Sequence, residues 1–139
     1  MDIIDKLQEV FAVLNATNID LLDDVYTTDV QFHDPAHTIT GLAKFKQYTA
    51  NLYQNVTSCT FKFKNIERFT GGAVLEWDML LQHPKLNKGI IFTVPGVSLV
   101  RYTDKIYFHH DYFDLGAMLY ERLPLIGSVI KYIKRNLGK

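Results

Sequence analysis

The sequence predicts an α+β fold, with helices segregated from one curved antiparallel sheet that they pack against. Three observations predict it. Apolar residues recur at helical spacing through roughly the first fifty positions, the period changes to two from Ser58 onward, and turn residues at Gly71-Gly72 and Thr103-Asp104-Lys105 divide the later stretch into long strands.

The elements follow in order. Asp2 can cap a first helix whose stripe is Ile3, Leu7, Val10 and Leu14, widened by Ile4 and Phe11. Asn15 to Asn18 reads as a turn, Asp20 to Tyr26 as a second short helix, and Val30 to Asp34 as a strand that Pro35 ends. Leu42, Phe45, Tyr48, Thr49, Leu52 and Tyr53 mark a third helix. Four strands then form a meander: one through Cys59, Phe61 and Phe63, one from Ala73 to Leu81, one from Gly89 to Tyr102 and one from Ile106 to Asp114. Pro95-Gly96 predicts a bulge or bend in the third of these. From Leu115 the chain becomes helical again, and Pro124 and Gly127 are expected to break that tail in two.

A chain of 139 residues fits one domain, residues 1–139, with enough buried surface to need no staples. Lys+Arg and Asp+Glu are equal at 15 each, which argues against a nucleic-acid partner. The ends are unequal. Met1 to Asp34 carries eight acids against Lys6, whereas Leu115 to Lys139 carries five bases against Glu121, so the ends attract each other or form solvated faces. Cys59 is the only cysteine and sits in an apolar alternation, which makes it a core residue. The N-terminus lacks the basic start and apolar run of an export signal, and the most apolar stretch, Gly89 to Val100, is too short to span a bilayer. A cytoplasmic protein is the expectation. The tail, rich in Leu, Ile and Val and in Lys131, Lys134 and Arg135, has two readings: docking over a pocket or on a partner subunit, which is preferred, or lying on an anionic membrane surface.

Val10 to Ala16, then Val30-Gln-Phe-His-Asp-Pro35, then Leu99 to Ile106 resemble successive landmarks of ketosteroid-isomerase-like and SnoaL-like proteins of the nuclear transport factor 2-like superfamily. His110 to Ala117 is similar to the close of the last strand in SnoaL-like proteins. The resemblance covers essentially the whole chain. It implies a cone-shaped sheet wrapped around the N-terminal helices, a deep apolar pocket for a small hydrophobic molecule, and a homodimer through the outer face of the sheet.

It also implies site residues. Asp34 aligns with the isomerase's general base, and a carboxylate at an apolar mouth suits that task. Its other reading is the cap of an Asp-Pro turn. The isomerase's two oxyanion donors fall at Val10 and Ser98, so a true ketosteroid isomerase is not expected. His109 and Asp111 share a strand face with Phe113, turned inward by the alignment, and form an acid or orienting pair; an ordinary surface pair is the alternative. The pocket set is Phe32, Trp77, Asp78, Ser98 and Phe113. The register around Trp77 stays open. Hydrophobicity turns Leu75, Trp77 and Met79 inward, whereas the alignment turns Glu76 and Asp78 inward. No zinc spacing or phosphate loop occurs, so neither a metal nor a cofactor is expected. The function expected is carboxylate acid/base chemistry of isomerase, cyclase or dehydratase type. A non-catalytic binding or interaction module is the alternative.

Overall fold

In a computed structural model of the chain, which describes residues 1–123 and 125–138, helix α1 (Ile3–Val13) opens on a reciprocal cap. The Asp5 N–H donates to the Asp2 carboxylate at 2.9 Å, and the Asp2 N–H donates to the Asp5 carboxylate at 3.2 Å. Arg68 reaches both acids, at 2.9 and 3.0 Å. Its side-chain hydrogen bond to Asp2, helped by the Asp5 N–H, draws the Asp2 carboxyl down from 3.8 to about 2. Asp2→Ala should cost about 1 kcal/mol at neutral pH through the lost cap. Because the folded value is the lower one, the aspartate's contribution is complete above the ordinary value and disappears as pH falls through about 2. Urea titrations of the wild type and Asp2→Ala should therefore converge over that acid window. A gap that persists unchanged below it would contradict the assignment.

Ile4, Leu7 and Val10 put the apolar stripe of α1 into the core. Beyond it, Ile19–Asp24 is a tight 3-10 turn instead of the expected α-helix, and strand β1 (Tyr26–His33) begins four residues before the expected start at Val30. The β-branched Thr27, Thr28 and Val30 favour extension there. A short strand β2 (Thr38–Thr40), not expected from the sequence, pairs with the end of β1. Helix α2 (Leu42–Asn55) buries Leu42, Phe45 and Thr49.

Strands β3 (Ser58–Phe69), β4 (Gly72–Gln82), β5 (Phe92–Tyr102) and β6 (Ile106–Phe113) form the predicted meander. The sheet order is β2-β1-β6-β5-β4-β3, antiparallel throughout except where β1 lies parallel to β6 with Phe32 opposite His109. The result is the α+β architecture expected, a curved sheet around the N-terminal helices with a helical tail.

Three local expectations are corrected. Pairing with β4 runs unbroken through Pro95 and Gly96, opposite Asp78 and Trp77, so no bulge forms there; the ladders shift instead on β3, where Lys64 is skipped between Phe63 and Asn65, and on β6, where Tyr107 is skipped opposite Arg101 and Tyr102. Gly96 serves a different purpose. A Cβ there would sit 2.3 Å from Cη2 of the Trp77 indole, so only hydrogen lets the ring lie flat against β5. On β4, Leu75, Trp77, Met79 and Leu81 are buried, and period-two alternation throws Glu76 and Asp78 to the other face. Asp78 is thus not a pocket residue: with Glu76 it faces Lys64, at 3.7 and 3.5 Å.

The third correction concerns the tail, which divides into separate helices as expected but not at Gly127. It comprises helix α3 (Leu115–Met118), capped by Asp114, a 3-10 turn at Tyr120–Arg122 and helix α4 (Ile126–Asn136). Pro124 lies outside the described residues. Gly127 does not break the tail; it is inside α4, where a side chain would meet the Glu121 carbonyl oxygen at 2.5 Å. Of the two readings of the unequal ends, mutual attraction within the chain is not formed among the described residues. Asp2 and Asp5 pair with Arg68, Asp20 and Asp23 pair with Lys46, and Lys134 of the tail pairs with Asp114 and Glu121.

Candidate active site

The concave face of the sheet, α2 and the start of the tail enclose a cavity of about 430 Å³, within the range of small-molecule sites. Its walls are largely apolar and aromatic: Phe32 from β1, Phe45 and Leu52 from α2, Phe61 from β3, Trp77 and Met79 from β4 and Phe113 from β6. Leu115, Met118, Leu119 and Leu123 cover it from the tail. The first half of the tail therefore docks over the pocket as expected, whereas α4 does not line it.

Two polar centres interrupt the apolar wall. The first is Asp34, just past the end of β1. Its carboxylate accepts the Ala36 N–H at 2.8 Å, which makes the Asp-Pro turn, and also lies 3.1 Å from His37 Nδ1. The Tyr48 hydroxyl, one turn along α2 from Phe45, donates to Asp34 at 2.6 Å. The capping and pocket readings of Asp34 are thus compatible, since the side chain is only 6% exposed and lines the cavity while closing the turn. Burial, with the Asp34 hydrogen bond and charge, pushes Tyr48 far above the usual phenol range and keeps it protonated.

The second centre is a chain of hydrogen bonds across four strands. The Trp77 indole N–H donates to Ser98 Oγ at 2.8 Å, and Ser98 donates to Asp111 Oδ1 at 2.5 Å. His109 Nε2 meets the same Oδ1 at 2.7 Å, and His109 Nδ1 meets the Tyr26 hydroxyl at 2.8 Å. With Asp111 ionised, the network assigns the proton to Nε2 and makes Nδ1 the acceptor of the Tyr26 O–H. Burial, and then the charge of Asp111, holds Tyr26 well above its ordinary value, which fits a hydroxyl that donates. Asp111 Oδ2 has no protein donor among the described residues, and the Asp111 side chain is 16% exposed at the cavity wall. Both nitrogens of His109 are occupied, so its geometry is that of a residue orienting Asp111.

Asp34, His109, Asp111, Phe32, Trp77 and Phe113 therefore border one cavity. Ser98 sits a layer behind, on a void of about 20 Å³ beside Leu7 and Phe63. Val10 is buried and supplies no donor. Sequence reasoning missed Tyr26 and Tyr48. Tyr48 is visible in the sequence as a polar tip inside an apolar helical stripe, whereas the spacing of Leu21, Leu22 and Val25 puts Tyr26 at the end of a helix. It also missed Tyr53, which lines the cavity and whose hydroxyl is buried without a hydrogen-bond partner among the described residues. Burial raises the neighbouring Cys59 thiol to about 12, so it is no nucleophile at neutral pH. No group of three or more His, Cys, Asp or Glu side chains suited to a metal occurs among the described residues.

Comparison with known proteins bears on this geometry. Residues 7–109 match the model of the SnoaL-like domain. No curated protein matches the chain in sequence. Similar solved structures include a Catenulispora acidiphila protein with a ketosteroid isomerase-like fold in complex with trimethylamine, with TM-score 0.76, 20% identity, and 88% of this chain and 93% of that one covered. A Jannaschia protein named provisionally as a SnoaL-like polyketide cyclase aligns with TM-score 0.73 and 13% identity over 84% of this chain and 88% of that one. TerC, co-crystallised with polyporic acid, aligns with TM-score 0.70 and 17% identity over 84% and 94%. At these identities the likeness is one of fold.

Proposed function

The chain belongs to the SnoaL-like domain family, and from that premise we propose that it is a cofactor-independent acid/base enzyme, of isomerase, cyclase or dehydratase type, acting on a small hydrophobic carbonyl compound. The observation that carries this reading is the pair of carboxylates, Asp34 and Asp111, bordering one apolar cavity. The three groups proposed for the chemistry are Asp34, Asp111 and His109. Asp111 Oδ2 is the free acceptor, and it takes a proton from the carbon next to the carbonyl. His109 and Ser98 hold the other oxygen of Asp111 and so fix the direction in which Oδ2 points. The proton held on Asp111 returns to a carbon of the resulting enolate, so that the net change is a proton shift, and Asp34, the second carboxylate on the cavity, with the Tyr48 hydroxyl hydrogen-bonded to it, is the alternative site for holding that proton. Trimethylamine and polyporic acid, bound by two structural neighbours, support a small-molecule site in this fold.

The reading can be tested before a product is known. A panel of hydrophobic ketones is screened for binding, and the binders are incubated with the protein in heavy water while deuterium uptake next to the carbonyl is followed by mass spectrometry. Uptake above the buffer rate is expected for at least one binder. Binding without exchange by any of them would leave a ligand-binding module in place of an enzyme.

A cytoplasmic homodimer, each chain a single domain, completes the proposal. The outer face of the sheet supports self-association, because Val74, Leu99, His110 and His33 lie in register across four strands, with Val97 and Tyr112 beside them. Burial and the neighbouring His33 lower the His110 pKa, which favours the neutral ring on that face. Sedimentation should show a dimer that Leu99→Glu converts to monomer. A wild-type monomer at all concentrations would exclude it.

A further inference from the structure

The most exposed apolar surface of the molecule is at neither the cavity nor the sheet. It is on α4 and the residues flanking it: Leu125 is 86% exposed, Val129 56%, Ile133 53% and Leu137 83%, with Ile126 and Tyr132 similarly open. At 3.6 residues per turn, Ile126, Val129, Ile133 and Leu137 form one stripe. The helix is held to the body by its other side, where Gly127 packs on Glu121 and Lys134 pairs with Glu121 and Asp114. The stripe is thus fixed outward, and α4 lies beyond the matched residues 7–109.

A second exposed apolar feature lies nearby. Ile90 and Ile91, on the loop from β4 to β5, are 62% and 47% exposed. Arg122 of the tail stacks 4.5 Å over Phe92, the residue after Ile91, which joins that loop to the tail. The same loop supplies His83, Lys85 and Leu86 to the cavity wall, and the tail supplies Leu119 and Leu123. Both exposed apolar features therefore flank the covered end of the cavity.

Charge selects the occupant. From His83 to Ile91 there are two bases, Lys85 and Lys88, and no acid; from Ile126 to Asn136 there are three bases and no acid. Lys134 is spent on its internal pairs, whereas Lys131 and Arg135 have no acidic partner among the described residues. An apolar stripe on one face of α4, with the unpaired bases on the opposite face, matches the chemistry of an anionic bilayer, whose headgroups take the long basic side chains while the acyl boundary takes the stripe. No helix among the described residues is long and apolar enough to cross a membrane, so the contact is one of lying on the surface.

We propose that α4, with the Ile90-Ile91 loop, seats this protein on an anionic membrane surface with the tail-covered end of its cavity toward the lipid. The seat rests on α4 and its charges, independently of the catalytic reading. If the catalytic reading also holds, hydrophobic ligand can reach the cavity from the acyl phase without crossing water.

The test uses the full chain in flotation with two vesicle types, equal parts phosphatidylcholine and phosphatidylglycerol, and phosphatidylcholine alone. The wild type is expected to float with the first and much less with the second. Each base near the surface is worth about fivefold in partitioning, so a Lys131→Gln, Arg135→Gln variant should bind the anionic vesicles roughly 25-fold more weakly. Val129→Asp with Ile133→Asp should abolish binding to both, and circular dichroism and melting should stay at wild-type values because both side chains are exposed. Failure of the wild type to float with anionic vesicles overturns the proposal. So does binding that the Val129 and Ile133 substitutions leave intact. A dimer that those substitutions disperse, seen together with no flotation, would assign the stripe to a second copy of this chain. Loss of deuterium exchange without loss of flotation would count against the enzyme alone.

Discussion

Asp111→Asn is expected to lower deuterium exchange of a bound ketone by about 10² to 10⁴, the usual span for removing a general base. The substitution is nearly isosteric. An asparagine carbonyl oxygen at the Oδ1 position can still accept from Ser98 and His109, which meet that atom at 2.5 and 2.7 Å, so the local packing should persist. The change falls on the free oxygen, where an NH₂ group replaces the only unencumbered acceptor of the network. Ligand affinity and melting temperature should therefore change little while exchange collapses. The distinction from Asp34→Asn is informative. Asp34 also holds the Ala36 N–H and closes the turn after β1, so its loss should reduce both stability and rate. An Asp111→Asn protein that exchanges at the wild-type rate would remove Asp111 as the base.

Trp77→Ala is expected to have the largest effect on stability, about 3–5 kcal/mol, out of a total that for domains of this size is roughly 5–15 kcal/mol. The indole is almost fully buried, meets Phe61 edge to face, and donates to Ser98, so its removal opens a void and leaves Ser98 without its donor. Gly96 supplies an internal control. Gly96→Ala alone should cost about 1–3 kcal/mol by forcing a methyl into the ring, yet in the Trp77→Ala background the same methyl meets empty space and should cost almost nothing. Chemical denaturation of the two single variants and the double variant measures that coupling directly. Additive effects would show that the ring and the glycine do not touch in solution.

The fold was legible because its signals are local. Period-two alternation from Ser58 and helical stripes before it survive any tertiary arrangement, and Asp2 caps α1 by bonds only three residues apart. The register of β4 stayed open in the sequence, because hydrophobicity and the family alignment point opposite ways there; burial of Leu75, Trp77 and Met79 settles it against Glu76 and Asp78. The site was harder to read because its partners are distant in sequence. Tyr26 meets His109 across 83 positions, and Ser98 meets Asp111 across a hairpin, contacts that no local pattern encodes. Tyr26 was also misplaced because Leu21, Leu22 and Val25 suggested a helix running through it, whereas the chain tightens into a 3-10 turn and then extends. The same limit explains Gly96. A proline-glycine pair reads as a bend, and only the indole on the neighbouring strand shows why the glycine is there.

The parallel seam between β1 and β6 has a consequence for how the protein is made. Phe32, Asp34 and Tyr48 leave the ribosome early, but β6, the parallel partner of β1, comes after four further strands and ends at Phe113. Until it arrives, the first strand has a free edge and the aromatic rings of α2 have no opposite wall, so the hollow forms only on closure of the chain. Such late, long-range zippering is slow compared with helix formation, and it leaves nascent apolar surface for chaperones to shield.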